Sequence, residues 1–98
     1  MIIAVDFDDT LMLQTAAGKT VPNIRLMGSL AKEQASGNIV ILWTCREGKM
    51  LEEAVRYCVK HGFRPNYVNQ NAPEIIKRFG GDSRKIYADV YIDDRAVR

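Results

Sequence analysis

Apolar runs alternate along this chain with segments in which apolar residues recur at helical spacing. The runs Ile2–Val5 and Ile39–Trp43 are continuously apolar, which is typical of strands buried on both faces of a parallel sheet. Two shorter runs, Tyr67–Val68 and Val90–Ile92, predict two further strands.

Three helices are predicted between these strands from apolar residues at steps of three and four. The first begins near Pro22, because proline is favoured in a first helical turn, and stops at Gly37. The second spans about Lys49–Lys60. The third follows Asn71, which is expected to cap it while Glu74 reaches back as in a capping box.

Strand and helix alternate from one end of the chain to the other, which predicts an α/β fold. A three-layer sandwich with a short parallel sheet follows, and right-handed crossovers favour the strand order 3-2-1-4, a Rossmann-like arrangement. With 98 residues, the chain has room for a single domain, residues 1–98.

Composition excludes several classes of function. Hydrophobic residues at 47% and charged residues at 27% are ordinary for a globular protein and argue against disorder. A net charge of +2 without a basic run gives no reason to expect nucleic acid as a partner. No apolar stretch approaches the roughly 20 residues that cross a bilayer, so no membrane is expected. The spacing of Cys45 and Cys58 fits neither a zinc knuckle nor a redox pair, which favours a cytoplasmic setting.

Acidic residues follow the first and the last predicted strands. Asp6 and Asp8 come just after the first strand, Asp93 and Asp94 just after the last, and Thr44 just after the second. In open parallel sheets, ligands bind at the carboxyl ends of the strands, where the strand order switches direction. In the order 3-2-1-4, the first and last strands are neighbours, so both acidic clusters are expected to meet there.

Several carboxylates in one crevice repel one another and raise one another's pKa. A divalent cation relieves this repulsion, and ligands that are all oxygen suit Mg²⁺. One carboxylate can then act as a nucleophile while the cation neutralises phosphoryl oxygens.

Four sequence features occur in the order found in one large family. An apolar strand is followed by Asp6–Thr10, a second strand Val40–Thr44 ends in threonine, Lys85 lies upstream of the last strand, and that strand ends in Asp93 and Asp94. The chain therefore resembles the haloacid dehalogenase-like (HAD) hydrolase superfamily, small capless phosphatase type. The resemblance implies a HAD-like fold and a magnesium-dependent phosphomonoester hydrolase.

The same resemblance implies catalytic roles for individual residues. Asp6 would attack phosphorus and become an aspartyl phosphate, and Asp8 would protonate the leaving oxygen and then activate water. Thr44 and Lys85 would hold phosphoryl oxygens. Lys77 and Arg84 are nearby basic residues, so the identity of the lysine-motif residue stays open.

It also implies the magnesium ligands. These are Asp6, the backbone carbonyl of Asp8, and Asp93, with Asp94 close to a metal-bound water.

The expected site is open, because the stretch between Thr10 and Pro22 has room for a flap but not for a cap domain. Arg46, which follows Thr44 closely, is a candidate for binding substrate. The partner expected is a phosphorylated small molecule rather than a macromolecule. An open edge on the last strand and a small core favour a homo-oligomer.

Two other function classes fit parts of the same pattern. A receiver-like phospho-acceptor domain also gathers acids, a threonine and a lysine on a parallel sheet, and an inactive HAD-like domain would serve as a binding module. Asp8 argues against the receiver-like domain, because an acid two residues after the nucleophile favours turnover, and the intact acids argue against the inactive module.

Overall fold

The fold is described from a computed structural model, in which residues 1–81 and 86–94 are described. In chain order, its elements are β1 (Ile2–Val5), β2 (Met12–Gln14), β3 (Thr20–Pro22), α1 (Ile24–Ala35), β4 (Ile39–Leu42), α2 (Gly48–Lys60), β5 (Tyr67–Val68), α3 (Pro73–Phe79) and β6 (Val90–Ile92).

A parallel four-stranded sheet forms the centre of the fold, with the strand order β5-β4-β1-β6. Val5 of β1 lies opposite Leu42 of β4 on one side and Ile92 of β6 on the other. The α/β class, the parallel sheet of four strands and the three helices between them are therefore confirmed. Since β4, β1 and β6 end level with one another, residues that follow them share one edge of the sheet.

Helices cover both faces of this sheet because its strands are apolar on both sides. On one face, side chains of β1 and β4 pack with α1 and α2 around Phe7, Leu11 and Phe63. On the other face, Ile2, Ala4 and Ile41 pack against residues of α3 and Ile86. Full burial of a large apolar side chain contributes about 1.5–3 kcal/mol, so this two-sided core fixes the sheet on which the acidic residues stand.

The first helix begins two residues later than the sequence predicts. Pro22 is the last residue of β3, and Asn23 is the residue that caps α1, accepting a hydrogen bond from the Leu26 N–H at 3.2 Å. The prediction of a helical start at Pro22 was wrong because a proline also suits the edge of a short strand pair. Gly37, with φ 93°, ends the helical segment as predicted.

The predicted capping box at α3 is also absent. Ala72 is the residue before the helix and no side chain caps it. Asn71 is buried, and its Oδ1 accepts a hydrogen bond from the Tyr87 N–H at 2.6 Å. Its side chain therefore joins the segment before α3 to the segment before β6.

The short stretch expected to form a flap is a hairpin, in which β2 and β3 pair antiparallel. It begins immediately after the turn that carries the first acidic cluster, since Asp9 N–H donates to Met12 O at 2.9 Å. Among the described residues, no helix has the length and apolar character to cross a bilayer.

Candidate active site

The carboxyl edge of the sheet brings together residues from β1, β4 and β6. The Asp6 N–H donates to Ile92 O at 2.9 Å, and the Trp43 N–H donates to Val5 O at 2.8 Å. The parallel ladder thus continues past the strand ends, with Asp6 between Trp43 and the first residue after β6, Asp93. Asp6 and Asp93 therefore follow adjacent strands, as the sequence predicts.

Asp6 is half-buried at this edge, and its surroundings disfavour its ionised form. Desolvation by its surroundings is the largest cause that raises its pKa above the ordinary value of 3.8. The Phe7 N–H donates to Asp6 Oδ1 at 2.8 Å and opposes this rise, while the negative charges of Asp8, Asp94 and Asp93 add to it. The neighbouring carboxylates are thus close enough to Asp6 to disfavour its ionised form, which is the condition that a bound cation relieves.

Asp8 is held by an arginine rather than pointing freely into the crevice. Arg46 donates from Nη2 to Asp8 Oδ1 at 2.8 Å and from Nε to Asp8 Oδ2 at 3.1 Å. The Arg46 Nη1 donates to Met50 O at 3.3 Å, and the guanidinium carbon lies 4.7 Å from the centre of the Phe7 ring. The hydrogen bond to Asp8 is the main cause that raises the pKa of Arg46. The sequence marked Arg46 as a substrate ligand and gave no sign of this ion pair.

Thr44 stands at the same edge, and its loop is fixed by an asparagine from the next strand. The Thr44 N–H donates to Asn69 Oδ1 at 2.8 Å, and Thr44 Oγ1 accepts from the Arg46 N–H at 3.2 Å. Asn69 has a positive φ of 51° and donates its own N–H to Leu42 O at 2.8 Å. Asparagine tolerates this conformation better than most residues, so Asn69 positions Thr44. The sequence placed Asn69 only at a strand end.

The turn after Asp8 is held by its backbone. Thr10, Leu11 and Met12 each direct their N–H to Phe7 O, at 3.2, 2.9 and 3.1 Å. The Thr10 hydroxyl is buried and has no hydrogen-bond partner among the described residues.

Lys85, predicted to hold phosphoryl oxygens, lies outside the described residues. Asp93 is half-buried and Asp94 is exposed, and both act on Asp6 through their charges. Trp43, which directly follows β4, is 44% exposed.

The donor chemistry at this edge fits Mg²⁺, although no preformed ligand cage is present. Among residues 1–81 and 86–94, no three or more His, Cys, Asp or Glu side chains are grouped closely enough to hold a metal ion. Asp6 nevertheless experiences the charges of three neighbouring carboxylates, and carboxylate oxygens are the ligands that Mg²⁺ prefers. Binding of Mg²⁺ at this edge would require these side chains to come closer together.

Comparison with known proteins gives one informative similarity. No family model matches the chain, and no curated protein matches it. A solved structure of a conserved protein from Bacteroides thetaiotaomicron is similar to it, with 36% sequence identity and a TM-score of 0.76. The similarity covers 98% of this chain and 77% of that chain.

Proposed function

Since the chain belongs to the same family as this conserved Bacteroides thetaiotaomicron protein, we propose for it the activity that its own residues support best. That activity is magnesium-dependent hydrolysis of a phosphomonoester through an aspartyl phosphate on Asp6, as in the HAD superfamily. The expected substrate is a small phosphorylated molecule. The free thiols of Cys45 and Cys58 fit a cytoplasmic location.

The observation that carries this proposal is the convergence of Asp6, Thr44 and Asp93 on one edge of the sheet. They follow β1, β4 and β6, which are neighbours in the order β5-β4-β1-β6. We propose that this order corresponds to the 3-2-1-4 order of a HAD-like, three-layer fold when the four parallel strands are counted alone. The raised pKa of Asp6 adds support, because functional carboxylates are often perturbed by burial and by like charges.

The reaction assigned to these residues has two displacements. A carboxylate oxygen of Asp6 forms a bond to phosphorus while the ester bond to the leaving oxygen breaks, and Asp8 gives that oxygen a proton. Asp8, now a carboxylate, then takes a proton from water as the water oxygen attacks the phosphorus of the aspartyl phosphate. Inorganic phosphate leaves, and both carboxyl groups return to their starting protonation states.

The magnesium ligands proposed are the carboxylates of Asp6, Asp93 and Asp94 and the backbone carbonyl of Asp8. When bound, the ion supplies positive charge that neutralises the phosphoryl oxygens. Thr44 and Lys85 are assigned to the same oxygens. Asn69 supports this role of Thr44 by fixing the backbone of its loop.

Arg46 has to release Asp8 before Asp8 can donate a proton. A guanidinium stabilises the carboxylate with which it pairs. The oxygens of a phosphoryl group carry more negative charge than a carboxylate and can compete for the same guanidinium. Binding of the substrate to Arg46 would therefore free the Asp8 carboxylate, which takes up a proton from solvent and then gives it to the leaving oxygen. This supports the assignment of Arg46 as a substrate ligand.

The same ion pair favours a second candidate, a phospho-acceptor domain without turnover. If Arg46 stays paired with Asp8 while Asp6 is phosphorylated, no base activates water and the aspartyl phosphate persists. Activity as a switch or binding module would then replace hydrolysis.

Substitution of the two carboxylates separates these functions. With an aryl phosphate and Mg²⁺, the wild-type protein should release phosphate continuously, and Asp6→Asn should release none and take up no phosphoryl group. Asp8→Asn should still form the aspartyl phosphate, because an aryl leaving group needs little protonation, but should hydrolyse it at least about a hundredfold more slowly. Intact-protein mass spectrometry would then show a phosphate-sized increase together with a burst of phenol.

Chelation of magnesium is the control and should abolish every step. Full activity in the chelator, or phosphoenzyme on Asp6→Asn, would show that the proposed roles are wrong. A stable phosphoenzyme on the wild-type protein would select the phospho-acceptor function.

A further inference from the structure

Trp43 presents a bare aromatic ring beside the proposed nucleophile. Its side chain is 44% exposed although it directly follows β4, whose last residue is fully buried. Tryptophan is on average one of the more buried residues. Its ring therefore has an unused aromatic surface within the same edge of the sheet as Asp6.

The backbone of Trp43 is held in place on both sides. Its N–H donates to Val5 O at 2.8 Å, and the next residue, Thr44, donates its N–H to Asn69 Oδ1 at 2.8 Å. The ring therefore starts from a fixed position one residue beyond the paired Val5 and Leu42.

The ring itself is supported from one direction by Tyr91 of β6. The two ring centres are 5.6 Å apart, at an interplanar angle of 64°. The rings meet across β1 because Ala4, the partner of Tyr91 in the sheet, has only a methyl group between them. The Tyr91 hydroxyl accepts from the Ala88 N–H at 3.1 Å and donates to Ile86 O, so Tyr91 is anchored as well.

The position of Trp43 also places it close to the reacting centre. Neighbouring strands lie about 4.8 Å apart, and Trp43 continues β4 at the level at which Asp6 continues β1. A group bonded to a phosphoryl oxygen at Asp6 therefore lies within reach of the indole ring. A flat group gains from stacking on such a ring, whereas a saturated chain of the same size gains less.

From this geometry we infer that Trp43, supported by Tyr91, selects phosphomonoesters whose leaving group carries an aromatic ring. The inference rests on the proposed function for its reaction but on Trp43 alone for its selectivity. Two kinds of molecule share the required chemistry, aryl phosphates and nucleoside monophosphates. Their difference is whether the ring is bonded to the ester oxygen or separated from it by a sugar.

A matched pair of substrates isolates the contribution of the ring. Benzyl phosphate and cyclohexylmethyl phosphate release alcohols of comparable leaving ability, so a preference between them reports recognition. The wild-type protein should favour benzyl phosphate by about tenfold in kcat/KM, mainly through KM, as expected for one stacked ring. Trp43→Ala should abolish this preference, and Trp43→Phe should restore part of it.

Tyr87→Ala is the matched control. Tyr87 is equally exposed at 44% but precedes β6, at the opposite end of the sheet from the site. The preference should persist in this variant. A wild-type protein without the preference, or a Trp43→Ala variant that retains it, would overturn the inference.

Fluorescence decides the same question without catalysis, because Trp43 is the one tryptophan of the chain. Benzylphosphonate, which is not hydrolysed, should quench the emission saturably and at concentrations about tenfold lower than cyclohexylmethylphosphonate. If no phosphomonoester is hydrolysed, the proposed function fails, and this titration still tests the selectivity. Equal effects of the two phosphonates would overturn it.

The two sources of the aromatic ring are distinguished by tyrosine phosphate and a nucleoside 5′-monophosphate. A loss in kcat/KM on Trp43→Ala that is confined to tyrosine phosphate assigns an aryl phosphate, and a loss confined to the nucleotide assigns a nucleobase. A loss with neither substrate overturns the inference.

Discussion

At the scale of single residues, the candidate site contains a carboxylate whose surroundings disfavour its charge. Asp6 is partly desolvated and lies within range of three other carboxylates, so its ionised form is disfavoured in the folded chain. Asp8 is paired with Arg46, whose Nη2 lies 2.8 Å from Asp8 Oδ1. Strain of this kind at a cluster of acids indicates a function, because a purely structural core would replace the acids with neutral residues.

The strain at Asp6 predicts a pH-dependent gain of stability on neutralisation. Its pKa is raised above 3.8 in the folded chain, so the folded protein binds the proton more tightly than the unfolded chain does. Wild-type stability should therefore fall as pH rises from about 4 through the raised pKa. Asp6→Asn, which keeps an acceptor for the Phe7 N–H, should be more stable than the wild type at pH 7, and the difference should narrow as the pH falls towards 4.

Urea unfolding in a metal chelator between pH 4 and pH 7 measures this difference. Asp9→Asn is the control, because Asp9 is exposed in the same turn and its φ of 60° suits asparagine. It should show no such pH dependence. An Asp6→Asn variant less stable than the wild type at pH 7 would contradict the prediction.

At the scale of elements, one side chain joins the acidic turn to the first helix. Asn23 Oδ1 caps α1 through the Leu26 N–H, while Asn23 Nδ2 donates to Thr10 O at 3.0 Å. Its backbone N–H donates to Leu11 O at 2.8 Å. The start of α1 and the turn after Asp8 are thus held by the same residue.

Removal of this link should destabilise the fold and loosen the turn. Asn23→Ala loses the cap, worth about 0.5–2 kcal/mol, and the hydrogen bond to Thr10, worth about 0.5–1.5 kcal/mol. We expect the free energy of unfolding to fall by about 1–3 kcal/mol. Asn23→Asp keeps the cap but not the side-chain donor, so its free energy of unfolding should lie between those of the wild type and Asn23→Ala.

Urea denaturation measures both variants, and amide hydrogen exchange at Thr10 and Leu11 reports the turn. Faster exchange in Asn23→Asp with little loss of global stability would separate the two roles of the side chain. If Asn23→Ala unfolds at the same urea concentration as the wild type, the link carries no stability.

At the scale of the whole molecule, the fold is a small core divided by a sheet. Cys58 lies fully buried on one side of it, among residues of β1, β4 and α1. Burial raises the pKa of its thiol to about 11. Among the described residues, β6 pairs with β1 alone, and a homo-oligomer through its open edge stays a prediction.

The two cysteines should therefore report global unfolding. At pH 8, the exposed Cys45 should react with a disulfide reagent within seconds to minutes, whereas Cys58 should react only as the chain unfolds. Absorbance of the released thiol measures both. In Cys45→Ser, the rate should follow the urea unfolding curve; fast reaction of Cys58 in native buffer would show that the core opens locally.

Prediction from the sequence succeeded where the signal was a contiguous pattern. The runs Ile2–Val5 and Ile39–Leu42 are strands because both of their faces are apolar, and this could be read without any contact. Strand ends locate the acids, so the meeting of Asp6 and Asp93 followed once the strands were known. The predictions that Pro22 begins α1 and that Asn71 caps α3 were wrong. Each of these residue types suits two local structures, and a distant partner decides between them.

The sequence by itself thus determined the parallel sheet and the edge where the carboxylates gather, because hydrophobic periodicity and strand ends are local properties of the chain. Only the tertiary structure decided what each side chain does there. Arg46 pairs with Asp8 because β4 lies beside β1, and Asn69 fixes Thr44 because β5 lies beside β4. Trp43 is 44% exposed although it directly follows the buried strand β4. Such contacts depend on residues far apart in the chain, and no local pattern of the sequence encodes them.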